Sequence, residues 1–273
     1  MVLNPNPTPN QHSNQSNPGP VNAVTFSSYP GTYILTGSSD RTVHLTRAIP
    51  NTNKKSDPIE TTSPIQKYEA HGYSVLDIAV AADNARFASV GGDRQVFLWD
   101  VEQGITTRRW SGHNSRIEAV QFAGEGDGVV VTGSADTTIN LWDTRANSHK
   151  PIQTLTEATD TVSSLHVHMG SYSIASGSYD GHARIYDVRT GKTSVDVLAH
   201  PVTSGDAVVL SGSEAGGGGG DGAASFAWDV ISGEVIAAVP MGEKVKAVSC
   251  VAWNEKGGDW AAGCSDGTVR VYG

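Results

Sequence analysis

Cysteine, positive charge and long apolar segments are all scarce in this sequence. Only Cys250 and Cys264 occur among 273 residues, which is too few for a disulfide scaffold and favours a reducing compartment. No apolar run approaches the ~18–20 residues that a membrane helix needs. Lys and Arg total 19 against 28 Asp and Glu, and the resulting net charge of −9 argues against direct binding to nucleic acid or anionic membranes.

The N-terminal segment shows no features of a leader, and the rest of the chain shows no sustained helical periodicity. The opening MVLNPNPTPNQHSNQSNPGP contains neither a charged start nor an apolar stretch, so we expect no secretory signal. Its Asn and Pro content predicts that residues 1–19 are disordered and make a poor strand. Gly is abundant at 31 residues, and with 17% charged residues this composition favours an all-β protein with many tight turns.

What the sequence does contain is a repeat. Six segments share small residues, an Asp, alternating apolar residues and usually an aromatic residue followed by Asp: GSSDRTVHLTR, GGDRQVFLWD, GSADTTINLWD, GSYDGHARIYD, GGDGAASFAWD and GCSDGTVRVYG. Their aspartates are spaced by 53, 43, 44, 41 and 45 residues, namely Asp40, Asp93, Asp136, Asp180, Asp221 and Asp266. A period of ~40–45 residues is that of a four-stranded β-propeller blade. Alternating segments such as RIEAVQF, GVVVTGS, TINLWD and PIQTLTEA predict its four strands.

The repeat also contains polar residues that can satisfy one another when buried. An Asp in the turn can accept hydrogen bonds from a His on the preceding loop, and the His can reach a Ser or Thr hydroxyl and an indole N–H. Two copies contain the full set, which is His71, Ser89, Asp93 and Trp99 in one and His113, Thr132, Asp136 and Trp142 in the other. Elsewhere the signature is altered: Thr46, Tyr186 and Tyr272 replace the Trp, the fifth copy has Trp228, and Asp160 stands at the place of the fourth copy's His. Because these sets recur along the chain, we interpret them as structural and not catalytic.

This signature resembles that of the WD-repeat family over residues 20–273. Segments 68–104 and 152–167 resemble more particularly the mitogen-activated protein kinase organizer scaffolds, a group of small seven-bladed WD-repeat proteins. The resemblance implies a non-enzymatic, WD-repeat β-propeller scaffold for the extracellular-signal-regulated kinase cascade, located in cytoplasm and nucleus and monomeric within larger complexes. Members of the group have also been found with the spliceosome and with a hypoxia-linked prolyl hydroxylase. A splicing-associated protein is therefore the alternative, and a propeller enzyme is the alternative from another class. We expect protein partners and no catalytic residue, cofactor or metal.

The resemblance implies seven blades, whereas six copies are recognisable. The shortfall lies near residues 200–206, because His71 and His113 precede the corresponding glycine by 20 residues, whereas His200 precedes Gly212 by only 12. A first strand does not fit in that interval. We predict the loss of ~40–45 residues there, through a skipped exon or a gene-model error, and a genuine six-bladed protein is the alternative. The glycines before Asp221 then lengthen a turn.

Four other features have functional alternatives of their own. GGGGGDG lacks the Lys and Ser/Thr of a phosphate-binding loop, and GCSDG at 263–267 matches the hydrolase pattern G-x-S-x-G but lies between two predicted strands. His166 and His168 share one face of a strand and could bind a metal, although no third ligand is suggested. The loop 51–66 is rich in Pro, Ser and Thr and could be phosphorylated, with a plain solvated loop as the simpler interpretation.

Function on such a fold is expected where the loops before first strands and the Asp turns form a rim. By alignment this rim contains Tyr73, Asn114, Arg116 and Tyr179. Tyr and Arg are enriched at interaction hot spots. We therefore predict that these four residues contact partner proteins, with ordinary surface residues as the alternative.

Overall fold

The structure is a computed structural model, and it describes residues 12–15, 19–48, 63–168, 173–188, 192–196, 208–212, 223–229, 235–241, 245–254 and 260–272. The chain divides into two compact units. The first unit consists of Met1–Lys67 and Val202–Gly273, and the second consists of Tyr68–Pro201.

The regular secondary structure of the described part of the chain is β-strand, apart from one short 3₁₀ turn. The first thirteen strands are β1 (His12–Gln15), β2 (Val21–Phe26), β3 (Tyr33–Ser38), β4 (Thr42–Arg47), β5 (Gln66–Glu69), β6 (Val75–Val80), β7 (Arg86–Gly91), β8 (Gln95–Asp100), β9 (Thr106–Ser111), β10 (Ile117–Ala123), β11 (Val129–Ser134), β12 (Ile139–Asp143) and β13 (Gln153–Leu155). The remaining ten are β14 (Val162–His168), β15 (Ser173–Ser178), β16 (Ala183–Asp187), β17 (Lys192–Asp196), β18 (Val208–Gly212), β19 (Ala224–Asp229), β20 (Val235–Pro240), β21 (Val248–Trp253), β22 (Trp260–Cys264) and β23 (Thr268–Tyr272). A 3₁₀ turn at Glu125–Asp127 is the one helical element among these residues.

The strands form six sheets in chain order. Sheet 1 is β2-β3-β4-β5, sheet 2 is β6-β7-β8-β9, sheet 3 is β10-β11-β12-β13, sheet 4 is β14-β15-β16-β17, sheet 5 is β18-β19-β20, and sheet 6 is β21-β22-β23-β1. Neighbouring strands in sheets 2 and 3 are antiparallel, as the tight connections between them require. The prediction of an all-β chain of four-stranded units is confirmed for five sheets.

Sheet 5 has three strands in the described residues. It lacks a strand before β18, which is the place where the sequence leaves no room for a first strand. Residues 197–207 and Asp221 lie outside the described part of the chain. Neither the count of six repeats nor the expected seven blades is confirmed by these sheets.

The N-terminal segment contributes a strand, contrary to the prediction. β1 pairs antiparallel with β23, with His12 opposite Val271 and Gln15 opposite Thr268, and completes sheet 6. The composition argument failed because the four residues HSNQ contain no Pro, and a sheet ladder needs only backbone N–H and C=O groups. The predicted disorder of the other residues in 1–18 falls outside the described part.

Burial within each sheet follows the sequence. The second strand of sheet 3, VVVTGS, begins with three valines and is buried along most of its length, whereas the outer strand of sheet 2, TTRRWS, is mostly exposed. Within the second unit, one apolar cluster joins sheets 2 and 3 and includes Trp110, Val120 and Trp142. A second cluster joins sheets 3 and 4 and includes Leu141 and Tyr186.

Five of the sheets contain the same irregularity. The register between first and second strands shifts once near the start of the first strand, at Val21/Ala23, Val75/Asp77, Ile117/Ala119, Val162/Ser164 and Val248/Cys250. This β-bulge presses the first strand against the second. At Gly91 a Cβ atom would lie 2.1 Å from Ser74 O, so only glycine fits there.

Candidate functional site: Asp turns, buried tetrads and the exposed rim

An aspartate organises the turn between the second and third strands. In sheet 3, Asp136 Oδ1 accepts the N–H of Thr138 (3.0 Å), and Asp136 Oδ2 accepts the N–H of Asn114 from the loop before β10 (2.7 Å). Asp93 and Asp180 do the same in sheets 2 and 4. The carboxylate therefore fixes the loop before the first strand against the turn, and these two segments together form the rim.

The residue after the turn Asp adopts a left-handed backbone. Its φ is 63° at Arg94, 72° at Thr137 and 82° at Gly181. This conformation is unfavourable for a β-branched residue such as Thr137. The hydrogen bonds of the preceding Asp hold the turn in place.

The structure places all four predicted residues of sheet 2 within hydrogen-bond distance of one another. His71 Nδ1 lies 2.8 Å from Asp93 Oδ2, and His71 Nε2 lies 2.8 Å from Ser89 Oγ. Trp99 Nε1 donates to the same Ser89 oxygen over 2.8 Å. The hydroxyl thus links an imidazole and an indole, and it is fully buried, so a substrate cannot reach it in this structure.

Sheet 3 repeats this arrangement with Thr in place of Ser. His113 Nδ1 lies 3.0 Å from Asp136 Oδ2, His113 Nε2 lies 2.8 Å from Thr132 Oγ1, and Trp142 Nε1 donates to Thr132 Oγ1 over 2.9 Å. Trp142 is fully buried, as is Trp99. We call these two sets the tetrads of sheets 2 and 3.

Protonation is shifted within the tetrads. Burial lowers the pKa of His113 and outweighs the charge of Asp136, which acts in the opposite direction. Burial alone would raise the pKa of Asp93, but its hydrogen bond to His71, the charge of His71 and the N–H groups of Gly72 and Gln95 hold it below its ordinary value. Hydrogen bonds from Thr138 and Asn114 likewise lower the pKa of Asp136 against the effect of burial.

In sheet 4 the tetrad His is replaced by Ala158, and not by Asp160. The N–H of Thr159 donates to Asp180 Oδ2 (2.9 Å), which is the bond that the residue after the His makes in sheets 2 and 3. The prediction that placed Asp160 there is wrong by two residues. Asp160 lies further along the exposed loop, where its Oδ1 accepts the N–H of Thr161 (2.6 Å).

Without a His, the inner part of this set has no network. Ser176 Oγ and the Tyr186 hydroxyl are both buried and have no hydrogen-bond partner among the described residues. Burial raises the pKa of Tyr186, and the nearby Ser176 hydroxyl acts to lower it, so the two hydroxyls lie close together without meeting hydrogen-bond geometry. Ala158 is also buried and offers neither a donor nor an acceptor in its side chain.

Asp180 has a cationic partner from another position. Arg184 Nη1 lies 2.8 Å from Asp180 Oδ2 and 3.2 Å from Oδ1, and the two side chains are only 8% and 5% exposed. Burial would raise the pKa of Asp180, but the N–H groups of Thr159 and His182 and the Arg184 guanidinium hold it well below its usual range.

The position four residues after the turn Asp varies with the presence of the loop His. It is Phe97 and Asn140 in sheets 2 and 3, which have the His, and it is His44, Arg184 and Arg270 in sheets 1, 4 and 6, which do not. Arg270 Nη2 lies 3.6 Å from Asp266 Oδ2, and His44 Nε2 lies 3.3 Å from the Thr42 hydroxyl that donates to Asp40. Sequence reasoning missed these basic residues. The spacing Asp-x₃-Arg/His is the signal that could have found them.

A second missed feature is an aromatic residue three positions before each loop His. Trp110 in β9 stacks on Trp142 with ring centroids 6.0 Å apart, and its Nε1 donates to Ser148 O (3.2 Å). Tyr68 contacts Trp99 edge-on at 5.5 Å, and burial raises the pKa of Tyr68 to about 12. These rings cover the indole of each tetrad.

Asp77 joins sheets 2 and 3 at their first strands. Its Oδ1 accepts the N–H of Ile78 (2.9 Å), and its Oδ2 accepts the N–H of Val120 in β10 (2.8 Å). Burial raises the pKa of Asp77 to about 7, although both N–H groups act to lower it. The corresponding residue of sheet 3, after the same bulge, is Ala119.

The four predicted rim residues lie at the Asp-turn end of sheets 2, 3 and 4. Tyr73 and Tyr179 are 66% and 68% exposed. The Arg116 side chain is 59% exposed and forms an ion pair with Glu118. Asn114 is exposed, while its N–H is fixed by Asp136. All four therefore have ordered backbones and side chains that are accessible at the rim.

The other motifs do not form catalytic or metal sites in the described part of the chain. Ser265 of GCSDG lies in the turn between β22 and β23, and its Oγ accepts the N–H groups of Lys246 and Ala247 (3.0 and 3.1 Å), so the strand–turn–helix elbow of a hydrolase is missing there. His166 and His168 are both exposed on β14. No group of three His, Cys, Asp or Glu side chains suited to a metal occurs among the described residues. No helix in this part is long and apolar enough to span a membrane.

Several predicted positions are described only in part. Trp228 and Tyr272 lie in β19 and β23 by their backbones, and their side chains fall outside the described part. Asp221 and residues 51–62 of the predicted phosphorylated loop also lie outside it. The role of these positions stays a prediction.

Comparison with known families agrees with the repeat. The family profile of the WD domain, G-beta repeat, matches residues 8–46 and 241–273. The profile of the nucleolar protein 10-like N-terminal domain, a β-propeller domain, matches residues 73–204. With the sheets described above, these matches make the chain an all-β protein with WD40 repeats, of the β-propeller class.

Curated relatives are WD-repeat proteins. The chain is 28% identical over 214 residues to a guanine nucleotide-binding protein subunit beta of Arabidopsis thaliana, covering 74% of this chain and 56% of that protein. It is 30% identical over 200 residues to the WD repeat domain-containing protein 83 homolog of Dictyostelium discoideum, covering 63% and 57%. It is 36% identical over 185 residues to an uncharacterised WD repeat-containing protein of Schizosaccharomyces pombe, covering 68% and 57%. The chain thus spans little more than half the length of these relatives.

Proposed function

Since the chain contains WD40 repeats and a segment that matches a β-propeller domain, we propose that it is a non-enzymatic platform that assembles other proteins into a complex. The observation that carries this proposal is how the polar residues are used. The Ser89 and Thr132 hydroxyls, which together with His and Asp could suggest catalysis, are fully buried, and each is shared between an imidazole and an indole. A relative named as a subunit of a guanine nucleotide-binding protein supports a role within an assembly.

The partner-binding surface in this proposal is the rim. Tyr73, Arg116 and Tyr179 present large side chains to solvent from backbones that the Asp turns fix. Because the backbone at these positions is already held, binding needs to order little more than the side chains, and Tyr and Arg are types enriched at hot spots. Binding several proteins at once would raise their effective concentration without chemistry.

We further propose that the partners belong to the extracellular-signal-regulated kinase cascade, in the cytoplasm and nucleus, with this protein as a single copy in the complex. The support is the resemblance of segments 68–104 and 152–167 to the mitogen-activated protein kinase organizer scaffolds. The same resemblance implies seven blades, so we also propose that one repeat has been lost near residues 200–206. Sequencing of transcripts across this region would show either the ~40–45 residue insertion or an uninterrupted six-repeat reading frame.

The test is affinity purification of the tagged chain from cells, followed by mass spectrometry. The triple variant Tyr73→Ala/Arg116→Ala/Tyr179→Ala is expected to keep its melting temperature and to lose kinase-cascade proteins. Gln103→Ala, an exposed change in the β8–β9 turn at the other end of sheet 2, is the matched control. Capture of spliceosomal proteins alone would refute the kinase assignment and leave the platform standing. Equal partner recovery by the wild type and the triple variant would refute the rim.

A further inference from the structure

Two segments without acidic residues meet at the edge of sheet 2, where β9 contacts the loop between β12 and β13. Residues 103–117 and 144–156 contain no Asp or Glu, although the chain has 28 acidic residues and only 19 basic ones. The structure brings these two segments together. Arg108 Nη1 donates to Asn147 Oδ1 (3.3 Å), and Trp110 Nε1 donates to Ser148 O (3.2 Å).

The cations of this surface are not neutralised. Arg108 has five N–H donors, and its acceptor among the described residues is the neutral Asn147 amide, with no carboxylate in ion-pair distance. Lys150 is exposed in the same loop and likewise forms no ion pair within the described part of the chain. A carboxylate is a stronger acceptor for a guanidinium than an amide is, so an incoming acidic group could displace Asn147.

The backbone beside these cations is also open. β9 is the last strand of sheet 2, and no described strand pairs with its outer side. Ile105, immediately before β9, is 52% exposed, and Ile152, immediately before β13, is 56% exposed. We call Ile105, Arg108, Asn147, Lys150 and Ile152 the outer patch. It combines free backbone groups, unneutralised positive charge and two apolar side chains.

We propose that the outer patch binds an extended acidic segment of a partner protein, which adds as a strand to the free edge of β9. Its backbone would pair with Thr106–Ser111, its carboxylates would contact Arg108 and Lys150, and its apolar side chains would cover the two isoleucines. Charge complementarity selects an acidic segment, because the patch is positive within a chain of net charge −9. The patch gives the proposed platform a second surface, and its binding does not depend on the rim.

The probe is a fluorescein-labelled peptide of alternating Glu and Val, added to the full chain and followed by fluorescence anisotropy. We expect Arg108→Glu/Lys150→Glu to weaken binding by ~10-fold or more, since two attractive charges become repulsive. Arg94→Glu/Lys246→Glu reverses two exposed cations outside the patch and is expected to leave the affinity within ~2-fold. Circular dichroism melts check that both variants fold, and Arg108→Gln/Lys150→Gln, a milder change, should weaken binding in the same direction.

Two variants of the peptide test whether it binds as an added strand. A peptide with Lys in place of Glu, and a Glu peptide interrupted by Pro, should both lose binding, and hydrogen exchange should slow at the amides of Thr106–Ser111 when the Glu peptide is present. Equal affinity of the wild type and the Arg108→Glu/Lys150→Glu variant would overturn the proposal. So would unchanged exchange in β9, or equally tight binding of a single-stranded RNA oligonucleotide at the patch. Loss of the peptide by the rim triple variant would assign the binding to the rim and would also overturn it.

Discussion

Sheets 3 and 4 share the Asp turn and differ in what lies beneath it. Asp136 and Asp180 accept the same two kinds of N–H group, from the loop before the first strand (2.7 and 2.9 Å) and from the residue two positions later (3.0 Å in both). In sheet 3 the Asp continues into a network through His113 to Thr132. In sheet 4 that network is absent, and Ser176 has no partner among the described residues.

The difference shows that the turn and the tetrad are separable. The turn needs a carboxylate and N–H donors, which every strand-turn-strand segment of this kind supplies. The carboxylate also needs a cationic or polar partner, and sheet 4 provides Arg184 from the third strand where sheet 3 provides His113 from the loop. What sheet 4 loses is the link to the hydroxyl beneath, and a buried, unpaired polar group costs about 1–3 kcal/mol.

The largest expected effect comes from removing the indole of Trp142, which only sheet 3 of the two sheets contains. Trp142→Ala is expected to lower the free energy of unfolding by ~3–5 kcal/mol, because it opens a cavity and removes the donor to Thr132. Thermal and urea denaturation would measure the loss. Trp142→Phe, which keeps most of the volume and removes only the N–H, should cost clearly less. An unchanged melting temperature for Trp142→Ala would refute the structural role of the tetrad.

A matched pair of hydroxyl deletions separates the two sheets directly. Thr132→Val is expected to destabilise by ~2–3 kcal/mol, because His113 Nε2 and Trp142 Nε1 both lose their partner. Ser176→Ala removes a buried hydroxyl that meets hydrogen-bond geometry with no described residue, so the change should be neutral or stabilising and not destabilising. Urea denaturation of both variants gives the comparison, and equal losses in the two sheets would show that Ser176 is satisfied.

Much of this architecture is predictable from sequence because several copies of the repeat can be compared with one another. The spacing of the turn aspartates indicates the four-stranded units, and two complete copies identify the tetrads by composition alone. These features are local: a turn, a hydroxyl and an indole lie at fixed offsets from one Asp. Sequence reasoning succeeded wherever the interaction partner is defined by that offset.

Sequence reasoning failed where the spacing between interacting residues depends on the length of a loop. The His lies before the first strand, at 22 residues from Asp93 and 23 from Asp136, so a copy without the His has no fixed reference. Only the hydrogen bond from Thr159 identifies Ala158 as the equivalent residue. The strand β1 was missed for a related reason, since backbone pairing leaves little trace in side-chain composition.

The missing network of sheet 4 can be rebuilt from the residues of sheet 3. Ala158→His combined with Arg184→Asn gives sheet 4 the His and Asn that sheet 3 has at these positions. We expect a favourable coupling of ~1–2 kcal/mol between the two substitutions, because the His can join Asp180 to Ser176 once the guanidinium is gone. A double-mutant cycle by chemical denaturation measures it. Ala158→Leu in the Arg184→Asn background is the control, and an equal gain from Leu would show that filling space is enough.

The smallest expected effect concerns how sheet 3 joins its neighbours. Sheet 2 contacts it through the Asp77 carboxyl group on Val120 N–H, whereas Ala119 at the same position of sheet 3 has no such group to offer sheet 4. The pKa of Asp77 is raised to about 7 in the folded chain, above its unfolded value, so its contribution is fully present below about pH 4 and is lost as the pH rises through 7. Relative to Asp77→Asn, the wild type should therefore gain stability as the pH falls from 7.5 to 5, measured by urea denaturation at each pH. The lowered pKa values of His113 and Asp136 weaken the fold on acidification in both proteins and cancel in this difference. If the two proteins change in parallel, Asp77 is already ionised at pH 5 and the joint between sheets 2 and 3 is no more sensitive to pH than the joint between sheets 3 and 4.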